Sequence, residues 1–120
     1  KFLGKVLDKK LVALYNFSDI LIQPSLAELE GMVVLEAMSC GKPILIADSK
    51  NSAAPYFVKG NGFTFNPKSP KDLAEKCLKL LKNKKMYIRM AKKSLAESKK
   101  YDIRKSISEI EKVYYSLVKV

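Results

Sequence analysis

Asp19-Ile20-Leu21-Ile22-Gln23-Pro24-Ser25-Leu26-Ala27-Glu28-Leu29-Glu30-Gly31-Met32-Val33-Val34-Leu35-Glu36-Ala37-Met38 decides how this chain folds. The run Asp19–Gln23 is short, apolar and rich in β-branched residues, and Pro24-Ser25 ends it, which suits a strand buried on both faces of a parallel sheet. A loop from Leu26 to Glu30 follows, then a helix from about Gly31 to Cys40 that Gly41 closes as its C-terminal cap. Pro43–Ala47 is a second buried strand.

The same logic extends outward from this unit. Upstream, Leu11, Val12, Leu14 and Tyr15 recur at helical spacing and predict a helix over Asp8–Phe17, with Asp8 placed to cap it. Lys1–Val6 has short β-type character. Downstream, Asp48–Pro55 is polar and turn-rich, a short helical piece is expected near Tyr56–Lys59, and Gly60-Asn61-Gly62 is a tight turn leading to a strand at Phe63–Phe65. Ser69-Pro70 starts a helix with proline at its first position and an apolar stripe of Leu73, Ala74, Cys77, Leu78 and Leu81. Lys84–Lys99 and Asp102–Val118 read as two further amphipathic helices, the last using Ile103, Ile107, Ile110, Val113, Tyr114 and Leu117.

Strands alternating with helices predict an α/β fold, a Rossmann-like parallel sheet flanked by helices with a helical C-terminal tail. Ligands of such sheets bind outside the carboxyl ends of the strands. Pro24–Gly31 and Asp48–Ala54 leave those ends.

The 120 residues suit one domain, and a 48% hydrophobic content with ordinary Gly and Pro counts fits a soluble globular protein. No apolar run approaches the roughly 20 residues that cross a bilayer, and the first residues lack the apolar core of a signal peptide, so a cytoplasmic location is expected. The chain has no histidine, which removes Ser-His-Asp and Cys-His catalysis and leaves acid-base chemistry to carboxylates. Cys40 and Cys77 have no metal-ligand spacing and read as small core side chains, so no metal site is expected.

The net charge is +11, and Lys68–Lys105 holds fourteen Lys or Arg against four acids. Such a surface attracts phosphate as nucleic acid, lipid headgroup or nucleotide. A nucleic-acid module would interleave exposed aromatics with the basic residues. Tyr87, Tyr101, Tyr114 and Tyr115 fall instead where helical cores are expected to need them, so no nucleic-acid partner is expected.

A helix starting near Gly31 presents unpaired N–H groups and the positive end of its dipole toward a ligand above the strand ends, a setting that stabilises a diphosphate. Gly31 lets the backbone approach closely. Glu36 lies about 7 Å along the helix, where a carboxylate can accept hydrogen bonds from paired hydroxyls such as those of a ribose. Glu28 precedes the helix and reaches the other side. Acidic residues near a helix N-terminus are also common because they stabilise it by about 0.3–1 kcal/mol.

At these residues the sequence resembles the group 1 (GT4-type) retaining glycosyltransferases of the GT-B fold. Glu28 and Glu36 match the family's E-x7-E spacing, and the likeness extends to Pro24-Ser25, Glu36-Ala37-Met38, Gly41, Pro43 and Gly60-Asn61-Gly62-Phe63. The resemblance implies that Glu36 binds the nucleotide ribose and that Glu28 positions the donor sugar and stabilises charge near the anomeric centre. It implies that the backbone of Gly31, Met32 and Val33 meets sugar and diphosphate, with Ser25 and Glu30 as further donor-side residues. Many relatives carry Gly-Phe where this chain has Leu29-Glu30, so sugar selectivity is open.

The resemblance also implies that residues 1–120 are the nucleotide-sugar-binding domain of a longer two-domain enzyme. The family's diphosphate-binding Arg/Lys pair and its N-terminal acceptor domain lie outside the match, so the fragment alone is expected to be inactive. UDP-glucose is the expected donor, as a substrate rather than a cofactor, and no cofactor is expected. Asp48–Ala53 is similar to the corresponding loop of bacterial glycolipid glucosyltransferases. With the basic helices, that likeness suggests a lipid acceptor and docking on an anionic membrane face at the inner side of the plasma membrane. A capsule, lipopolysaccharide or protein-glycosylation acceptor, a nucleotide-sugar epimerase, a non-catalytic nucleotide-sugar-binding relative and, from charge alone, a basic nucleic-acid-binding module stay open as alternatives.

Overall fold

The strand Ile44–Ala47 (β3) has every residue buried, and its side chains alternate between two cores as a pleated strand requires. Ile44 and Ile46 pack with Val34, Met38, Ala54 and Phe57 on one face. Leu45 and Ala47 pack with Phe65, Leu80 and Met90 on the other. The computed structural model describes residues 1–118. Within it, β3 is the centre of a three-stranded parallel sheet, flanked by Leu21–Gln23 (β1) and Gly62–Phe65 (β5). A second parallel pair joins Ala27–Glu28 (β2) to Asn51–Ser52 (β4).

The helices cover both faces, as expected for a parallel sheet. Met32–Ser39 (α2) supplies Val34 and Met38 to the first core. Pro70–Lys82 (α3) and Lys84–Ser98 (α4) supply Leu80 and Met90 to the second. Their starts follow from sequence: Ser69 accepts the Asp72 amide at 3.1 Å and Asn83 accepts the Met86 amide at 2.9 Å, each capping an orphan donor. Asp8–Phe17 (α1) has the expected bounds, but Leu7 is its N-cap residue and Asp8 makes no capping hydrogen bond.

Several expectations are corrected. Lys1–Val6 forms no strand, because among the described residues nothing pairs with it. The loops at 26–30 and 48–55 contain β2 and β4, and the short helical turn falls at Ala54–Phe57. On α3 the buried side chain is Leu80, while Leu78 and Leu81 are exposed. The final helix, Ile103–Leu117 (α5), buries none of its residues, and Tyr114 and Tyr115 are 65% and 76% exposed. Those tyrosines therefore serve no core. Tyr101 is half exposed but packs edge-on against Phe57, with ring centroids 5.4 Å apart. Cys40 and Cys77 are unpaired and half-buried.

Glu97 ties the end of α4 together. It is 6% exposed and accepts from Lys100 at 2.7 Å and Lys93 at 2.9 Å. The hydrogen bonds from Lys100 and then Lys93 pull its carboxyl down to about 2. A carboxyl depressed in the folded state contributes stability above its unfolded pKa and loses it as pH falls through the folded value. Melting curves of the parent and Glu97→Gln should therefore differ most above about pH 5 and converge toward about pH 2. A gap that stays constant with pH would contradict this.

Candidate functional site

The loops that leave the carboxyl ends of β1 and β3 are pinned to each other. Ala53 donates to the Glu28 carbonyl at 2.9 Å, and the Ser49 hydroxyl donates to the Leu26 carbonyl. This fixes the backbone of Glu28. Its half-buried carboxylate accepts from Gln23 Nε2 at 3.1 Å through Oε2, and from the Gly31 amide at 3.4 Å through Oε1. Gln23 also reaches Ser25 Oγ at 3.3 Å, so Gln23, Ser25 and Glu28 form one polar cluster.

Gly31 turns the chain into α2 with φ of 65°, the left-handed region that glycine enters without strain. A Cβ there would come within 2.8 Å of Phe57 Cε2. Among the described residues the amides of Met32 and Val33 have no acceptor, whereas that of Gly31 is turned to Glu28. Met32, Val33 and Glu30 are exposed. The start of α2 therefore offers two free donors to an anion.

Glu36 lies further along α2, exposed, and Oε2 accepts the Tyr15 hydroxyl of α1 at 2.8 Å. Burial and this hydrogen bond hold the Tyr15 phenol well above its ordinary pKa, so it remains a donor through the neutral range. The two side chains line a groove of about 530 Å³ with Leu11, Val12, Met32 and Tyr101. The groove is apolar apart from the Asp8 and Glu36 carboxylates, hydroxyls and the Cys40 thiol.

Glu28 and Glu36 thus belong to separate networks rather than one cluster. Met32 and Glu36 share the groove, the Val33 side chain lines a smaller recess beside Leu14 and Lys42, and Glu28 and Ser25 lie with Gln23. Sequence reading missed Gln23 and Tyr15 as partners of the two carboxylates. Tyr15 stands 21 residues from Glu36 and was read only as part of an apolar stripe; no local pattern joins them. A third recess, of about 350 Å³, opens at the ends of β3 and β5 among Asp48, Asn66, Asp72 and Lys76. Asp72 there is already engaged, accepting from Lys76 at 2.8 Å and from the Asn66 amide at 2.7 Å. Among the described residues no group of three or more Cys, Asp or Glu could hold a metal ion, and no helix is long and apolar enough to cross a membrane.

This architecture recurs in known proteins. The sucrose-phosphate synthase of Thermosynechococcus elongatus superposes with a TM-score of 0.84 over 98% of this chain and 30% of that one, at 21% identity, and so shares the fold. A sulfoquinovosyl transferase of Arabidopsis thaliana is 33% identical over 96% of this chain and 23% of its own length. An N,N'-diacetylbacillosaminyl-diphospho-undecaprenol alpha-1,3-N-acetylgalactosaminyltransferase of Campylobacter jejuni is 30% identical over 91% of this chain and 29% of its own. The chain thus spans less than a third of the length of these relatives. The family model of the group 1 glycosyl transferases matches residues 1–96. The chain belongs to the group 1 glycosyl transferases.

Proposed function

We propose that this chain is the donor-binding part of a longer hexosyltransferase that transfers sugar with retention, and that its donor is UDP-glucose. The observation that carries this reading is the Glu36 carboxylate, tied to Tyr15 on the wall of the groove next to the two free amides of α2. A ribose diol hydrogen-bonds to Glu36, and the diphosphate takes the Met32 and Val33 amides and the positive end of α2. Glu28, aligned by Gln23, orients the sugar and stabilises charge at the anomeric carbon. Gly31, Ser25 and Glu30 border the sugar. The donor is a substrate, and no cofactor or metal takes part.

We infer that the cationic clamp on the diphosphate comes from a part of the enzyme outside this chain, so that the chain alone binds nucleotide weakly and transfers nothing. Titration with UDP, UDP-glucose and GDP-mannose, followed by amide NMR, should shift residues 31–36 at millimolar ligand, most strongly with the uridine nucleotides. An unperturbed segment would remove the site assignment.

The acceptor we propose is a membrane lipid, reached through a part of the enzyme outside this chain, with the basic face of α3 and α4 against an anionic bilayer on the cytoplasmic side. Support comes from that charge, since each lysine near such a surface contributes about 1 kcal/mol, and from the diphospho-undecaprenol in the name of the Campylobacter relative. The serotype-specific mannosyltransferase WbdA of Escherichia coli, 33% identical over 83% of this chain, favours a second reading, a surface-polysaccharide acceptor. Sedimentation with neutral and anionic vesicles separates them: binding confined to anionic vesicles and lost at high salt supports the lipid reading, and equal binding to both vesicle types contradicts it.

A further inference from the structure

Glu36 is exposed on a helix that offers it nothing to hold. Its neighbours one turn away on α2 are Met32, Val33, Ser39 and Cys40, and among the described residues it makes no ion pair. A glutamate with three free torsions loses rotamer entropy when it fixes on a ligand. One contact removes that freedom beforehand, the Tyr15 hydroxyl at 2.8 Å.

We propose that Tyr15 is a positioning residue of the donor site, holding one oxygen of the Glu36 carboxylate so that the other is presented to the ribose hydroxyls. This rests on the reading of Glu36 as the ribose ligand. The chemistry permits it: an ionised carboxylate has about four acceptor sites, and Tyr15 uses one of them on Oε2. Tyr15 is not a core tyrosine needed for packing alone, because α1 has no buried residue. Its ring lies along the groove beside Leu11 and Val12, so α1, which contributes little to either core, gains a role in aligning the ligand. The raised phenol pKa keeps the hydroxyl protonated and donating wherever the enzyme would work.

The test compares UDP with 2',3'-dideoxyuridine diphosphate, which lacks both ribose hydroxyls, on the parent chain and on Tyr15→Phe, which keeps the ring and deletes the hydroxyl; isothermal titration supplies the affinities and the amide spectrum verifies the fold. The parent should prefer UDP. Tyr15→Phe should weaken UDP by about 5- to 10-fold and the dideoxy ligand by less than about 2-fold, because the lost hydrogen bond acts only through the ribose hydroxyls. Equal weakening of both ligands would make Tyr15 merely structural, and no change in either would remove it from the site; both overturn the proposal. A parent chain that binds UDP but does not distinguish the two ligands would instead overturn the ribose reading of Glu36, and the proposal with it.

Discussion

Replacing Glu36 by alanine is expected to weaken UDP binding by roughly 100-fold while leaving the chain as stable as its parent. Each hydrogen bond between a hydroxyl and a charged carboxylate is worth about 1.5–3 kcal/mol, so losing a pair costs about 3 kcal/mol or more, and every 1.4 kcal/mol is tenfold in affinity. The fold should not suffer, because Glu36 is exposed and alanine is the better helix former. Calorimetric titration measures the first expectation and urea unfolding the second. An affinity within about 2-fold of the parent would mean that the groove between α1 and α2 is not the ribose site. A large loss of stability would mean that Glu36 is chiefly a strut between the two helices.

The largest effect on stability is expected at Gly62. It pairs directly with Ile44 across β3 and β5, and a Cβ added there would lie 1.8 Å from the Ile44 carbonyl oxygen and 2.7 Å from its carbon. The closest obstacle is the backbone of the central strand, with the Ile44 side chain beside it at 2.9 Å, so Gly62→Ala must push the two strands apart. Because β3 carries both hydrophobic cores, the cost should exceed about 4 kcal/mol. Gly60→Ala makes the comparison, since a Cβ there meets open space and only the φ of +82° opposes it, a strain of about 1–2 kcal/mol. Urea midpoints of the two variants should therefore differ widely. Equal midpoints would show that the turn conformation, and not the strand contact, sets the requirement for glycine. The same displacement would reach the site, because the loop leaving β3 holds the Glu28 backbone through Ala53.

What the sequence made legible was what local chemistry encodes. The bounds of α1, the Ser69-Pro70 start of α3, the Gly41 end of α2 and the continuous apolar run of β3 follow from spacing, capping and burial within a few residues. The two-residue ladder of β2 and β4 left no trace, since neither segment has an alternating pattern and the pairing spans the whole of α2. An apolar stripe is expected to face a core; Leu73 and Cys77 are half-buried against the second core, but the stripe of α5 at Ile103, Ile107, Ile110, Tyr114 and Leu117 is regular and exposed. Periodicity marks a face that can be covered and says nothing about whether this chain covers it. At the candidate site, Glu28, Gly31 and Glu36 were singled out by spacing and by the family resemblance. The side chains that orient the carboxylates were not: Gln23 sat inside a strand, and Tyr15 lies on another element.

The most direct test of the donor-site reading is a crystal structure of the chain with UDP. The ribose hydroxyls should lie about 2.6–3.2 Å from the Glu36 carboxylate, with phosphate oxygens facing the Met32 and Val33 amides. UDP bound instead in the recess formed by Asp48, Asn66 and Lys76, with the groove beside Glu36 left open, would contradict it.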